Sequence, residues 1–373
     1  MKFNKSVFLL IFIAASNLLP IQAQNLKMPA NGVNYKCLAG RSLGVTDIEV
    51  KWNAPGVKGR EGKIWGTDIA YFGTTILGFG SNVASPWRAG ADESTNISFS
   101  TDVLVNGKLL SAGKYGFFME LGQDSCTLIF NKNTQGWGSY FYDRRQDVLR
   151  VKTAPIKNMP QSKERLEYTF SNQMDNSIEV ALEWEYWRIP MKVEVDLNKT
   201  SLASIRSQLS SALGFDAPSL VAGAKWCLDN EVNYDEALNW INTATNSNFG
   251  GINTFNSLSV KAGLLEKLNQ KEEAANTMSS AYEVATAIEL HQYGRQLLNQ
   301  KKINEAKEVF EKNYKKNSGA WPTNVGMMRV YSALGDYKKA LDYARLALVQ
   351  APDEVNKKNL ERSISTLESG KAL

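Results

Sequence analysis

The hydrophobic rhythm of this chain changes once, near Asn198, and that change limits what the chain can fold into more than any other feature. From Thr46 to about Leu197 the period is two. Ile48, Val50 and Trp52 alternate with Asp47, Glu49 and Lys51, and Ile97, Phe99, Val103 and Val105 continue the pattern up to a hairpin signal at Asn106-Gly107. Tyr115, Phe117 and Met119 follow, then Cys126, Leu128 and Phe130, then Leu166, Tyr168 and Phe170. The longest run sets Ile178, Val180, Leu182, Trp184 and Tyr186 against Glu179, Glu183 and Glu185. Beyond Pro190, Met191, Val193, Val195 and Leu197 resume it. Alternation sends one set of side chains inward and the other to water. Many short strands with no helix between them predict an antiparallel sandwich or barrel over residues 24–197.

Past Asn198 the spacing becomes helical. Leu202, Ile205, Leu209 and Leu213 predict a linker helix within 198–217, stopped at Gly214. A motif then recurs. Tyr234-Asp235-Glu236-Ala237-Leu238 resembles Tyr337-Lys338-Lys339-Ala340-Leu341, and Ala274 and Ala306 occupy the aligned place in the two copies between. A period of about 34 residues, with small side chains where two helices cross, is that of the tetratricopeptide repeat, expected here over 218–355. Ala244, Ala281 and Ala347 supply the second small position. Asn313 replaces it in the third copy, which predicts a looser crossing there. Residues 356–373 are left as a final helix or tail. Stacked pairs bury a shared core and offer a groove to a protein or peptide partner.

The chain has 373 residues, enough for two domains. It opens on a basic start (Met1–Lys5), a short apolar run and Pro20-Ile21-Gln22-Ala23, the pattern of a signal peptide cut after Ala23. The apolar run is shorter than the roughly 20 residues that span a bilayer, and nothing later is long and apolar enough. Export to the periplasm or beyond is expected. Removing Lys2 and Lys5 lowers a formal charge of only +5, too weak a balance to imply nucleic acid. In an oxidising compartment Cys37 and Cys126 are the pair that could bridge. Otherwise these two and Cys227 are three small buried hydrophobes. No C-x-x-C occurs.

No recognised catalytic pattern is present. The only histidine, His291, lies in the third repeat as a satisfied surface or groove residue, so histidine-based triads and zinc sites have no ligands in the β-rich half. P-loop, dinucleotide and nucleophile-elbow patterns are absent, and no cofactor is implied. Glu183 and Glu185 could be an acid pair of a carboxylate-dependent hydrolase beside Trp65, Trp87, Trp137, Trp184 and Trp187, as in glycan-processing sites. As alternating strand residues they read more simply as a solvated face. Asp143 and Asp147 flank Arg144 and Arg145 as local ion pairs.

One stretch is unusual. Trp87-Arg88-Ala89-Gly90-Ala91-Asp92-Glu93-Ser94-Thr95 places an arginine before three small residues and two acids. Small residues let backbone pack closely, and a partly buried arginine needs a partner, so Arg88 with Glu93 is the expected pair. Arg60, Trp87, Arg88, Asp92, Glu93, Asp147 and Arg150 are accordingly the candidate residues of a polar or anionic ligand site.

These residues carry a family resemblance. Pro55, Gly59-Arg60, Ile64-Trp65-Gly66, the Trp87–Thr95 motif, Asp102-Val103, Ala112-Gly113-Lys114-Tyr115, Trp137-Gly138, Asp147–Val151 and Trp184-Glu185 together resemble the domain of unknown function 2911 family, over roughly Val33 to Val195. Asp92 stands where that pattern has Asn, and Cys126 near where it often has Trp. The resemblance implies an exported domain of Gram-negative bacteria, often joined to tetratricopeptide repeats, and it implies no activity.

Overall fold

Pleating begins before the alternation does. In this computed structural model, which describes residues 34–249 and 251–373, the first strand is β1 (Tyr35–Leu43), mostly exposed and paired in full register with β2 (Thr46–Ala54). An edge strand buries little, so no inward apolar set announced it. The expected signal segment, 1–23, lies outside the described residues.

Two short strands follow, β3 (Thr75–Ile76) and β4 (Ala84–Ser85), then β5 (Asn96–Phe99) and the hairpin β6 (Val103–Val105) and β7 (Lys108–Leu110). Asn106 and Gly107 both adopt positive φ at its two-residue turn, as the Asn-Gly signal requires. The rest are β8 (Gly113–Glu120), β9 (Cys126–Asn131), β10 (Asp147–Thr153), β11 (Lys163–Ser171), β12 (Ser177–Glu185) and β13 (Trp187–Glu194). They form a six-stranded antiparallel sheet in the order β1-β2-β5-β8-β9-β10 and a five-stranded one in the order β11-β12-β13-β6-β7, with β3-β4 apart. The two larger sheets meet through Trp52 of β2. Its ring lies 5.1 Å from that of Tyr168 on β11, and its indole donates to the Leu166 carbonyl at 3.0 Å.

The longest alternating run ends earlier than expected. Trp184 pairs directly with Trp187, so Glu185 and Tyr186 form a tight hairpin turn with Glu185 at φ +53°. Tyr186 is therefore 41% exposed rather than inward, and Glu185 is 3% exposed rather than solvated.

A second unit runs Asp196–Leu373. Helix α1 (Leu197–Leu209), capped by Asp196, ends before the Gly214 stop that the spacing suggested, and a 3-10 turn (Ala212–Phe215) follows it. Four antiparallel pairs follow: α2 (Ala217–Asp229) with α3 (Tyr234–Thr245), α4 (Phe255–Lys267) with α5 (Lys271–Val284), α6 (Ala287–Asn299) with α7 (Ile303–Lys316), and α8 (Trp321–Ala333) with α9 (Tyr337–Val349). Helix α10 (Glu354–Glu368) packs on α9. Ala237, Ala244, Ala281, Ala306, Ala340 and Ala347 are fully buried, as close helix crossings demand. Asn313 does not loosen its crossing. It is fully buried and donates to the Ala287 carbonyl at 2.9 Å, a polar tie in place of a methyl contact. No described helix is long and apolar enough to cross a membrane.

Candidate functional site

The Trp87–Thr95 stretch is a loop fastened at both ends. Trp87 exchanges two backbone hydrogen bonds with Met119, and Ala91 donates to the Asn53 carbonyl. Between them Ala89 and Asp92 sit in the left-handed region, at φ +52° and +53°. Each such residue costs about 1–3 kcal/mol and persists only where surroundings impose it. The surroundings are identifiable. The Ala89 carbonyl accepts from both the Thr95 hydroxyl (3.0 Å) and the buried Tyr168 hydroxyl (2.9 Å). A Cβ at Gly90 would stand 2.7 Å from Thr95 Oγ1, so only glycine fits.

This loop walls a pocket of about 540 Å³. Arg60, Arg88 and Asp92 line it together with Trp184, and with Lys58 and Asp68, which the sequence did not mark. Arg60 is held by two carbonyls, Nε to Val57 (2.9 Å) and Nη2 to Gly56 (2.7 Å). Arg88 donates to the Asp92 carbonyl at 3.2 Å and lies 5.9 Å from the centre of the Tyr140 ring. Gly138 leaves room for it, because a Cβ there would be 2.6 Å from Arg88 Nη1. Among the described residues no carboxylate comes within ion-pair distance of Lys58, Arg60 or Arg88. The fully buried Trp184 adds an indole N–H with no acceptor. Tyr71 stays protonated behind Arg88, its phenol pushed up to about 12 mainly by burial.

The expected Arg88–Glu93 pair is not formed. Glu93 turns the other way, to Lys36 at 2.7 Å and Asn53 Nδ2 at 2.5 Å, and the Lys36 contact holds its carboxyl below the usual range. The reason is the left-handed step at Asp92, which reverses the direction of the chain between Arg88 and Glu93. Asp92 takes its own bond from Asn34 at 3.0 Å. Asp147 and Arg150 do not line the pocket. They close a separate network in which Arg150 meets Asp147 (2.9 Å) and Glu120 (2.5 Å), while Asp147 also accepts from Tyr142 (2.6 Å) and Asn131 (2.7 Å). That network is internally satisfied and holds β8, β9 and β10 together.

Trp87 lies beneath the pocket rather than in it. Trp65 stacks on Trp187 at 4.7 Å and meets Trp87 and Trp184 edge-on at 5.8 and 5.9 Å. Trp87 and Trp184 are 2% and 0% exposed, so they are core and not a sugar platform; Trp137 lies apart and exposed. Glu183 and Glu185 are likewise engaged. Glu183 holds Arg188 at 2.9 Å and Thr169 at 3.0 Å, and Glu185 accepts from the Gly62 amide. Asp143 does pair locally, with Arg145 at 2.9 Å. The cysteines are three free thiols: Cys37 half-buried, Cys126 and Cys227 buried, each pushed up mainly by burial. Cys37 and Cys126 do not bridge, since three strands lie between β1 and β9 in the sheet. Among the described residues no cluster of three or more His, Cys, Asp or Glu could hold a metal ion.

Residues 36–193 match the model of a family described as a protein of unknown function, DUF2911. No curated protein matches the chain. Among solved structures it is similar to one titled "Crystal structure of YrrB: a TPR protein with an unusual peptide-binding site", at 19% identity, over 44% of this chain and 83% of that one, with a TM-score of 0.26.

Proposed function

We propose that this chain, whose residues 36–193 form a domain of the DUF2911 family, is an exported, non-catalytic binding protein: its β unit takes a small anionic ligand and its helical pairs dock a protein or peptide. The observation that carries the ligand reading is Arg88. It is half-buried, has no carboxylate partner, and faces a pocket shared with Arg60, Lys58 and the unpaired Trp184 indole. A guanidinium in that state is stabilised by an incoming carboxylate or phosphate, which it meets through paired N–H groups. The engaged states of Glu183 and Glu185 leave a hydrolase without the pair it would use.

Thermal unfolding of the full chain with and without millimolar succinate, citrate or inorganic phosphate tests the ligand reading. At least one of these anions raises the Tm by a few degrees, about what ligand at tens of Kd gives, and Arg88→Met abolishes that rise. An equal response in Arg88→Met, or none in the parent chain, rejects the pocket. Export is supported by the first residues of the sequence and is tested by the mass of the chain recovered outside the cytoplasm. Its first residue is Gln24; an intact Met1 on cytoplasmic material overturns export.

A further inference from the structure

The pocket walled by the Trp87–Thr95 loop is lined by both signs of charge. Lys58, Arg60 and Arg88 supply cations, Asp68 and Asp92 carboxylates, and Asn34 a neutral amide. A pocket for a plain anion has no use for the acids, which repel it. Yet both acids are available. Among the described residues Asp68 makes no hydrogen bond or ion pair, and Asp92 accepts at Oδ2 alone, from Asn34 at 3.0 Å. The Asp92 charge also acts on Lys36, but that ammonium is held by Glu93 at 2.7 Å. Across the pocket, the hydrogen bonds of Arg60 and Arg88 go to backbone carbonyls, those of Val57, Gly56 and Asp92.

Opposite charges in one cavity pair with each other unless something holds them apart. Here the backbone does so. Lys58 stands at φ +54°, and its segment is pinned to β11: the Val57 amide donates to the Glu164 carbonyl at 2.8 Å, and the Lys58 amide to Glu164 Oε1 at 3.1 Å. Asp92 stands at φ +53° in the loop tied to Asn53 and Met119. Left-handed steps at residues with side chains are strained, and such strain gathers at ligand clamps, where the surroundings impose it. Cations and acids therefore share a space of about 540 Å³ without neutralising each other.

We propose that the anion taken by this pocket also carries a protonated amine. The ligand is a small zwitterion, with its carboxylate at Arg88 and Arg60 and its ammonium at Asp68 and Asp92. The inference rests on the anion reading above and narrows it. Forked guanidinium N–H groups match a carboxylate, and a compact ammonium offers its three donors to single carboxylate oxygens. A ligand of both signs satisfies both sets of side chains, whereas a plain anion leaves two carboxylates facing it unpaired. The volume suits a free amino acid or a short peptide.

The test is isothermal titration calorimetry of the full chain with two matched pairs, glutamate against glutarate and γ-aminobutyrate against butyrate. Members of a pair share carbon chain and carboxyl groups and differ by the amine. In at least one pair the amino member binds about ten-fold or more tighter, as a charged hydrogen-bonded pair provides. Asp68→Asn and Asp92→Asn keep the side-chain size, remove the charge and reduce that preference, without weakening glutarate or butyrate. Arg88→Met weakens both members of the pair. Equal affinity within both pairs overturns the zwitterion and leaves the anion reading standing. A preference that both Asp variants leave unchanged does the same. Failure of all four probes also overturns it, and the Tm response to succinate, citrate or phosphate then decides the anion reading separately. Binding that survives Arg88→Met intact rejects both.

Discussion

The two units fill their interiors in opposite ways. The β unit packs large side chains: Trp184, Phe117, Phe130, Ile48, Ile97 and Leu128 are all but fully buried, and four tryptophans cluster under the pocket. The helical unit is built around absences, with alanine at its crossings and glycine at positions 294 and 326 so that a single Phe310 can wedge between helices. A sheet interior is a slab filled by long side chains. A helix crossing is a contact filled by short ones. The first should therefore fail when a side chain is cut back and the second when one is enlarged.

The largest expected effect is in the β unit. Trp184→Ala should cost about 3–5 kcal/mol, read as a lower urea midpoint by β-sheet circular dichroism. A cost below about 1 kcal/mol would show that the tryptophan cluster is not the core it resembles. In the helical unit Ala340→Leu should cost about 1–3 kcal/mol through overpacking, where the same change on an exposed helix face would be neutral.

His291 gives the contrast a pH dependence. Burial and the facing arginines lower its pKa from 6.5 to about 4. The unfolded chain therefore takes up the proton first, and stability is full above pH 6.5 and lost as pH falls towards 4. The loss is of order 2–3 kcal/mol. His291→Gln should flatten this part of the helical unit's stability profile; an unchanged slope would assign it to other groups. The smallest effect belongs to exposed ion pairs. Lys225→Met breaks the pair with Asp229 one turn on and should cost about 0.5 kcal/mol or less by the same urea titration.

The sequence was legible where a period repeats. Strands β2, β5, β8, β9, β11 and β13 follow their alternating residues, and the helix pairs follow their alanines. It was least legible where the backbone takes a left-handed step without glycine. Such steps at Ala89 and Asp92 send Glu93 away from Arg88, and the step at Glu185 cuts a strand one residue short and buries a carboxylate. The turns inside the helix pairs show the same thing. Gly335 announces its positive φ, whereas Asn233, Asn269 and Lys301 adopt it unannounced. Arg88 and Asp92 could be placed in one pocket because they share a single motif, and Arg60, in a separate segment, joins them there. Lys58 stands two residues from Arg60, while Asp68 and Trp184 reach the same pocket from a separate loop and from β12.

The division of the chain into two cores is tested most directly by hydrogen exchange across the whole chain, comparing the parent with Trp184→Ala. Amides of β1 to β13 should lose protection together, while those of α6 to α9 exchange as before. Loss of protection in α6 to α9 in step with the strands would show one cooperative core and contradict the account.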